Sequence, residues 1–229
     1  MTGIAVIIPT LNEVAAIGGV IGELPKDIVS DIIIADSGST DGTQDAARRA
    51  GARVLDLRER GYGRACAAGV AAASPECDII IFMDGDGADR GDLIAQLVAP
   101  LRAGGQDFVI AARVKRLREP GSMSPHQVFA GYLFGLAIFL FTGVRYTDMC
   151  AYRAINRAAL KRLGMREMTY GWNIEMQFKA ARQGLRVLEL PMPYRCRAGG
   201  ESKVAGSLRG TIRASWRILA AFTRVAFTG

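Results

Sequence analysis

Two carboxylates, Asp84 and Asp86, stand two residues apart in the segment Ile79-Ile80-Ile81-Phe82-Met83-Asp84-Gly85-Asp86-Gly87, directly after an apolar run. Two acids so close cannot both stay ionised without a compensating charge. Magnesium or manganese prefers hard oxygen ligands and bridges a few carboxylates to substrate phosphates, so the pair suits a metal–diphosphate complex. Asp-Gly pairs also make ordinary turns, and this short motif alone leaves both readings open.

Two earlier clusters repeat the pattern of an apolar run followed by a polar turn. Val6-Ile7-Ile8-Pro9 leads into Thr10, Asn12 and Glu13, and Ile32-Ile33-Ile34-Ala35 leads into Asp36, Ser37 and Ser39. Asp41, before Gly42-Thr43, is expected to shape the turn or cap the following helix. Gly61-Tyr62-Gly63-Arg64-Ala65-Cys66 superficially suits a dinucleotide fingerprint, but its third glycine is missing and it follows the third strand, which argues against a dehydrogenase. The glycines suit a tight helix entry. His126 is the only histidine, cannot support a triad alone, and reads as a loop or helix-entry residue.

The elements that must carry these groups follow from hydrophobic patterning. Strands are expected at Ile4 to Pro9, Ile32 to Asp36, Arg53 to Leu57, Ile79 to Asp84 and Phe108 to Ala112, with helices near Val14 to Glu23, Thr43 to Ala50, Gly63 to Ala73 and Asp89 to Ala103. Alternation of this kind predicts an α/β domain with a mostly parallel sheet flanked by helices, whose ligands bind beyond the carboxyl ends of the strands. The three polar clusters all fall there.

After Ala112 the pattern changes to a polar stretch with Pro120 and Pro125, then seventeen uncharged residues from Val128 to Val144. That run is at the lower limit for crossing a bilayer and predicts a buried or interfacial helix. A helix from Arg157 capped by Asn156, a helix from Gly171 to Gln183, a strand at Arg186 to Leu190 and a last helix from Leu208 complete the chain. On the last helix Arg209, Arg213, Arg217 and Arg224 share one face and Leu208, Ile212, Leu219 and Phe222 another. Such a helix suits either an anionic membrane surface or packing on the domain. The expected division is a catalytic domain over 1–206 and this basic amphipathic helix over 207–229.

A chain of 229 residues fits one domain with a substantial core. Cys66, Cys77, Cys150 and Cys196 form no CxxC pair, so neither a zinc site nor a redox motif is suggested and reduced thiols are expected. No signal-peptide pattern precedes the first strand, and a cytoplasmic location, peripheral on the membrane, is expected. The net charge of +7 is concentrated late, with eight Arg or Lys against two Glu from Arg186 to Gly229. Nucleic acid, anionic lipid and phosphorylated substrates would all be attracted by it.

The three strand-end clusters together resemble family 2 glycosyltransferases of the GT-A fold. The resemblance implies that Pro9, Asn12, Glu13 and Asp36 hold the nucleotide of a nucleoside-diphosphate sugar, that Asp84 and Asp86 hold Mg2+ or Mn2+ at its diphosphate, and that Gly61 to Cys66 is the family's glycine-rich turn, from which Arg64 approaches the donor. Where the family usually has two consecutive acids, this chain has Asp36 followed by Ser37. Later segments, Arg113, Tyr146-Thr147-Asp148, Cys150 to Ile155, Gly171 to Gln177 and Gly199 to Val204, are similar to the polyprenol-phosphate branch, which includes dolichol-phosphate mannosyltransferases. That similarity implies an inverting transfer to a polyprenyl phosphate, with Asp148 and Glu175 on the sugar and acceptor side and Arg113, Arg153, Ser202 and Lys203 as phosphate contacts. An Arg153–Glu175 ion pair is the alternative use of those two residues. Val128 replaces an Arg frequent in relatives, and Cys150-Ala151 replaces a Gly-Pro or Ser-Gly.

Other classes fit less well. A nucleic-acid-binding protein would explain the basic C-terminal end but not three carboxylate-bearing clusters, which repel a phosphate backbone. A sugar nucleotidyltransferase needs a glycine-rich basic loop where Pro9-Thr10-Leu11-Asn12-Glu13 stands. A catalytically silent nucleotide-binding subunit and a transferase with a hydroxyl acceptor remain as alternatives, the latter requiring Asp148 or Glu175 as a base.

Overall fold

In the computed structural model, residues 3–199 are described, together with 220, 222–224 and 226. Seven strands form one sheet in the order β3-β2-β1-β4-β6-β5-β7. They are β1 (Gly3–Thr10), β2 (Asp31–Asp36), β3 (Arg53–Asp56), β4 (Cys77–Phe82), β5 (Phe108–Ala112), β6 (Arg153–Asn156) and β7 (Val187–Pro191). The helices are α1 (Val14–Gly22), α2 (Thr43–Arg49), α3 (Tyr62–Ala72), α4 (Ile94–Arg102), α5 (Pro125–Thr142), α6 (Arg157–Leu163) and α7 (Trp172–Arg182).

The central strands are apolar through their middles because helices cover both faces: Ile4 to Ile8 and Ile80 to Phe82 have no exposed surface. α4 turns Ile94, Leu97, Val98 and Leu101 inward at helical spacing. β1 pairs in parallel with β2 and β4, so Thr10 stands beside Asp36 and the turn after Phe82 opens at the same edge. The expected mostly parallel sheet is present.

Three expectations need correction. The sheet gains β6, antiparallel to both β4 and β5, which patterning did not reveal because it is four residues long and begins with an arginine. The helix expected from Asp89 is a single tight turn, Gly91–Leu93, followed by α4, because the Asp89 side chain is committed to accepting the Asp84 backbone N–H at 3.0 Å. Asn156 precedes α6 without capping it and instead donates to the Gln106 carbonyl at 3.4 Å.

The uncharged run forms α5, which begins at Pro125, with His126 in its first turn. It is not buried: among its residues only Gly131, Gly135 and Ile138 are inside. Of the last helix only a few positions belong to the described residues. Phe222 packs among Phe134, Phe141 and Phe178, which seats that part of the chain between α5 and α7. Leu208, Arg209, Ile212, Arg213, Arg217 and Leu219 lie outside the described residues.

Candidate active site

The loops after β1 and β2 are tied together by side chains. Asn12 takes a left-handed backbone at φ 54°, and its N–H donates to Ser39 Oγ at 2.8 Å while its Oδ1 accepts from Thr40 N–H at 2.9 Å. Glu13 N–H donates to Thr43 Oγ1 and Val14 N–H to Asp41 Oδ2, so groups of the second loop close the N-terminus of α1. Asp41 also accepts from Thr43 N–H, which makes it a turn and cap residue for two helices at once.

Asp36 organises this corner. It is fully buried and accepts five hydrogen bonds, from Gly38 N–H, Ser39 N–H and Gln44 Nε2 on Oδ1, and from the Thr10 and Ser39 hydroxyls on Oδ2. Burial opposes its ionisation, but the bonds from Ser39, Gln44 and Thr10 outweigh it and hold the carboxyl below the usual range. Any contact of Asp36 with a nucleobase or ribose must compete with those partners.

At the end of β4 three carboxylates, Asp84, Asp86 and Asp89, share one turn. Burial, and after it the neighbouring Asp86 and Asp89, push the Asp84 carboxyl well above its ordinary range, and burial raises Asp89 to about 7. Asp86 Oδ1 accepts the Ala88 N–H at 3.0 Å. The chain 195–198 runs along this turn, with Arg195 N–H on the Ala88 carbonyl and Ala198 N–H on that of Asp86. It brings Arg197 within 3.1 Å of Glu13 and 3.6 Å of Asp86, so the strand-end acids share a cation from the far end of the chain. Among the described residues no group of three His, Cys, Asp or Glu is arranged to enclose a metal ion. Mg2+ commonly keeps several waters and completes its coordination with substrate phosphate, so it does not need such an enclosure.

Arg113, leaving β5, grips Asp148 through Nε and Nη2, each at 2.7 Å, and through its own N–H. Burial disfavours the Asp148 anion, but the guanidinium prevails and holds its pKa below the usual range. The Tyr194 ring lies 5.0 Å from the Arg113 guanidinium carbon. Thr147 and Asp148 N–H groups are held by Glu189. Beside this pair opens a cavity of about 330 Å3 with basic walls from Arg113, Lys115 and Arg118 and apolar ones from Val114, Met123 and Val128.

Other expected site residues sit elsewhere. Arg153 is fully buried and donates to the carbonyls of Cys150 and Asn173, so its guanidinium is not presented to a phosphate. It does not pair with Glu175, which accepts from the N–H groups of Arg166 and Glu167 and pairs with Lys179 Nζ at 2.8 Å. Arg64 pairs with Glu59 at the surface. The glycine turn before it serves close packing: Gly63 and Arg64 N–H donate to the Thr169 and Met168 carbonyls, and a Cβ on Gly63 would lie 2.2 Å from the Glu167 oxygen. Ser202 and Lys203 lie outside the described residues. Asp89 was legible as a third acid after Asp84; Arg197, Lys115 and Arg118 carried no local signal.

Comparison with known proteins shows the family and the fold. The family model described as Glycosyl transferase family 2 matches residues 5–164, and the chain belongs to that family. It is similar to an uncharacterized glycosyltransferase of Mycobacterium tuberculosis, 36% identical over 222 residues covering 94% of this chain and 97% of the relative. An undecaprenyl-phosphate mannosyltransferase of Micrococcus luteus is 31% identical, over 89% of this chain and 88% of its own length. The crystal structure of glucosyl-3-phosphoglycerate synthase from M. tuberculosis with Mn2+ and uridine-diphosphate-glucose superposes with a TM-score of 0.75 at 25% identity, covering 98% of this chain and 79% of that one. The sheet is thus that of the GT-A fold.

Proposed function

We propose that this glycosyltransferase moves a sugar from a nucleoside-diphosphate sugar to a polyprenyl phosphate, with inversion at the anomeric carbon. Asp84 and Asp86 would hold Mg2+ or Mn2+, and Pro9, Asn12, Glu13 and Asp36 frame the nucleoside side. A bound divalent cation would offset the charge of the departing diphosphate. A cation there also fits the chain's own electrostatics, since it would relieve the repulsion that disfavours ionised Asp84 beside Asp86 and Asp89. The Mycobacterium synthase supports the donor class through its complex with Mn2+ and uridine-diphosphate-glucose, and the Micrococcus relative supports the acceptor through its name.

The observation that carries the acceptor reading is the Arg113–Asp148 pair at the mouth of a cavity that is part cationic, part apolar. Asp148 held as a paired anion is a weak base, and Glu175 is taken up by Lys179 and two backbone N–H groups. Neither is poised to deprotonate a hydroxyl. A phosphate monoester, with its second pKa near 6, is already an anionic nucleophile at neutral pH and needs no such base. Arg113, Lys115 and Arg118 would orient its oxygens, and the apolar wall would take the first isoprene units. The C-terminal basic segment over 207–229 adds peripheral attraction to an anionic membrane on the cytoplasmic side.

Transfer should be assayed with matched polyprenyl phosphate and unphosphorylated polyprenol across UDP-, GDP- and dTDP-sugars. Only the phosphate should accept, with activity falling on acidification through the phosphate's second pKa near 6. Use of free hydroxyls with none of the phosphate would overturn the acceptor. Asp86→Asn, which keeps an oxygen for the Ala88 N–H, should fold normally yet lose on the order of 100-fold or more in turnover. Undiminished activity in that variant, or in excess chelator, would remove the metal assignment.

A further inference from the structure

α5 shows an apolar face that the domain does not use. Phe129, Tyr132, Leu133, Leu136 and Leu140 follow helical spacing and all point outward, with Leu140 74% and Phe129 66% exposed. The opposite face is pinned to the domain: a Cβ on Gly135 would fall 2.0 Å from the Tyr146 carbonyl oxygen, and one on Gly131 would touch Asp148. The helix is therefore fixed alongside the protein with a dry stripe turned to solvent, an arrangement that marks an interaction surface.

Its surroundings select the partner. Exposed Lys115 and Arg116 precede α5 and exposed Arg145 follows it, and no Asp or Glu occurs between Glu119 and Asp148. A twofold pairing of α5 with a second copy in antiparallel fashion would set Arg145 of one chain near Lys115 and Arg116 of the other, with no acid to separate them. An anionic lipid surface meets the same face with apolar chains for the stripe and negative headgroups for both ends. By length and composition α5 reaches the lower limit for crossing a bilayer, its 18 residues spanning about 27 Å, but one side of it is packed on the domain at Gly131 and Gly135, which argues against a span.

We propose that α5 lies in the interface of an anionic membrane and is the element that seats the catalytic domain on it. This goes beyond attraction by the C-terminal segment, and it rests on the lipid-phosphate reading only in what it explains: the cavity wall residue Val128 belongs to α5, so seating α5 brings the cavity mouth to the headgroup level where a lipid phosphate resides.

The test is sedimentation of the full chain with vesicles of phosphatidylcholine alone and with added phosphatidylglycerol, without donor or acceptor. Binding should require phosphatidylglycerol. Replacing Leu133, Leu136 and Leu140 together by Gln should weaken it by about tenfold or more at an unchanged melting temperature. Leu140→Gln alone, at the most exposed position, should weaken it in the same direction should the triple variant fold poorly. Replacing Arg116 and Arg145 by Ala should blunt the dependence on anionic lipid. Undiminished binding by the Gln variants would overturn the proposal. So would a wild-type dimer in vesicle-free solution that these substitutions dissolve, since the stripe would then belong to a second copy. Transfer to a short-chain polyprenyl phosphate in detergent is read separately, so loss of the acceptor assignment leaves this result standing, and the reverse.

Discussion

At the scale of single residues the site is a set of buried anions whose ionisation is decided by their neighbours. Asp36 and Asp84 end adjacent parts of one sheet edge, yet one is held below the ordinary carboxylate range by five donors and the other is pushed above it by burial and two further acids. Asp36→Asn would leave an amide NH2 facing donors, and is expected to lower stability at neutral pH by about 1–3 kcal/mol, measured by urea unfolding. Because the folded-state carboxyl titrates below its reference of 3.8, its stabilising contribution is present above that value and is lost as pH falls through the depressed one. The gap between wild type and variant should therefore narrow on acidification; a gap that widens would contradict the assigned direction.

At the scale of elements, glycines decide where helices can lie. Gly135 lets α5 touch the backbone at Tyr146, and Gly135→Ala should cost about 1–3 kcal/mol through forced separation of α5 from the domain. At Gly18, exposed within α1, a Cβ would meet nothing within 4 Å. Gly18→Ala should instead stabilise by about 0.5–1 kcal/mol, since alanine loses less backbone freedom in a helix. Paired denaturant melts check both signs, and a neutral Gly135→Ala would mean that α5 is not held where it lies.

At the scale of the whole molecule, groups from both ends of the sequence meet at one edge: Glu13 from the first loop, Asp86 from the middle and Arg197 from the end. Ligand binding there should stabilise the fold globally. A nucleotide sugar at 100 times its Kd adds about 2.7 kcal/mol, visible as a raised melting temperature. The shift should require Mn2+ or Mg2+ and should be lost in Asp84→Asn. A donor that stabilises equally in chelator would detach the diphosphate site from these carboxylates.

The repeating apolar runs and the polar residues after them were enough to place β1, β2, β4 and β5, and to single out Asp36, Asp84 and Asp86, because a strand covered on both faces must be apolar throughout and its chemistry must begin where it leaves the sheet. The uncharged run from Val128 to Val144 also marked α5 as a helix. It could not say which side of that helix is covered, because a uniformly uncharged segment has no polar face to orient it, and only packing at Gly131 and Gly135 turned the Leu and Phe positions outward. The partners of the arginines were likewise beyond local reading: Arg113 found Asp148, Arg153 found the Asn173 carbonyl and Arg197 found Glu13 across separations that no spacing rule spans. Charge pairing over such distances is set by strand order and by the buried antiparallel β6, and those are properties of the folded sheet.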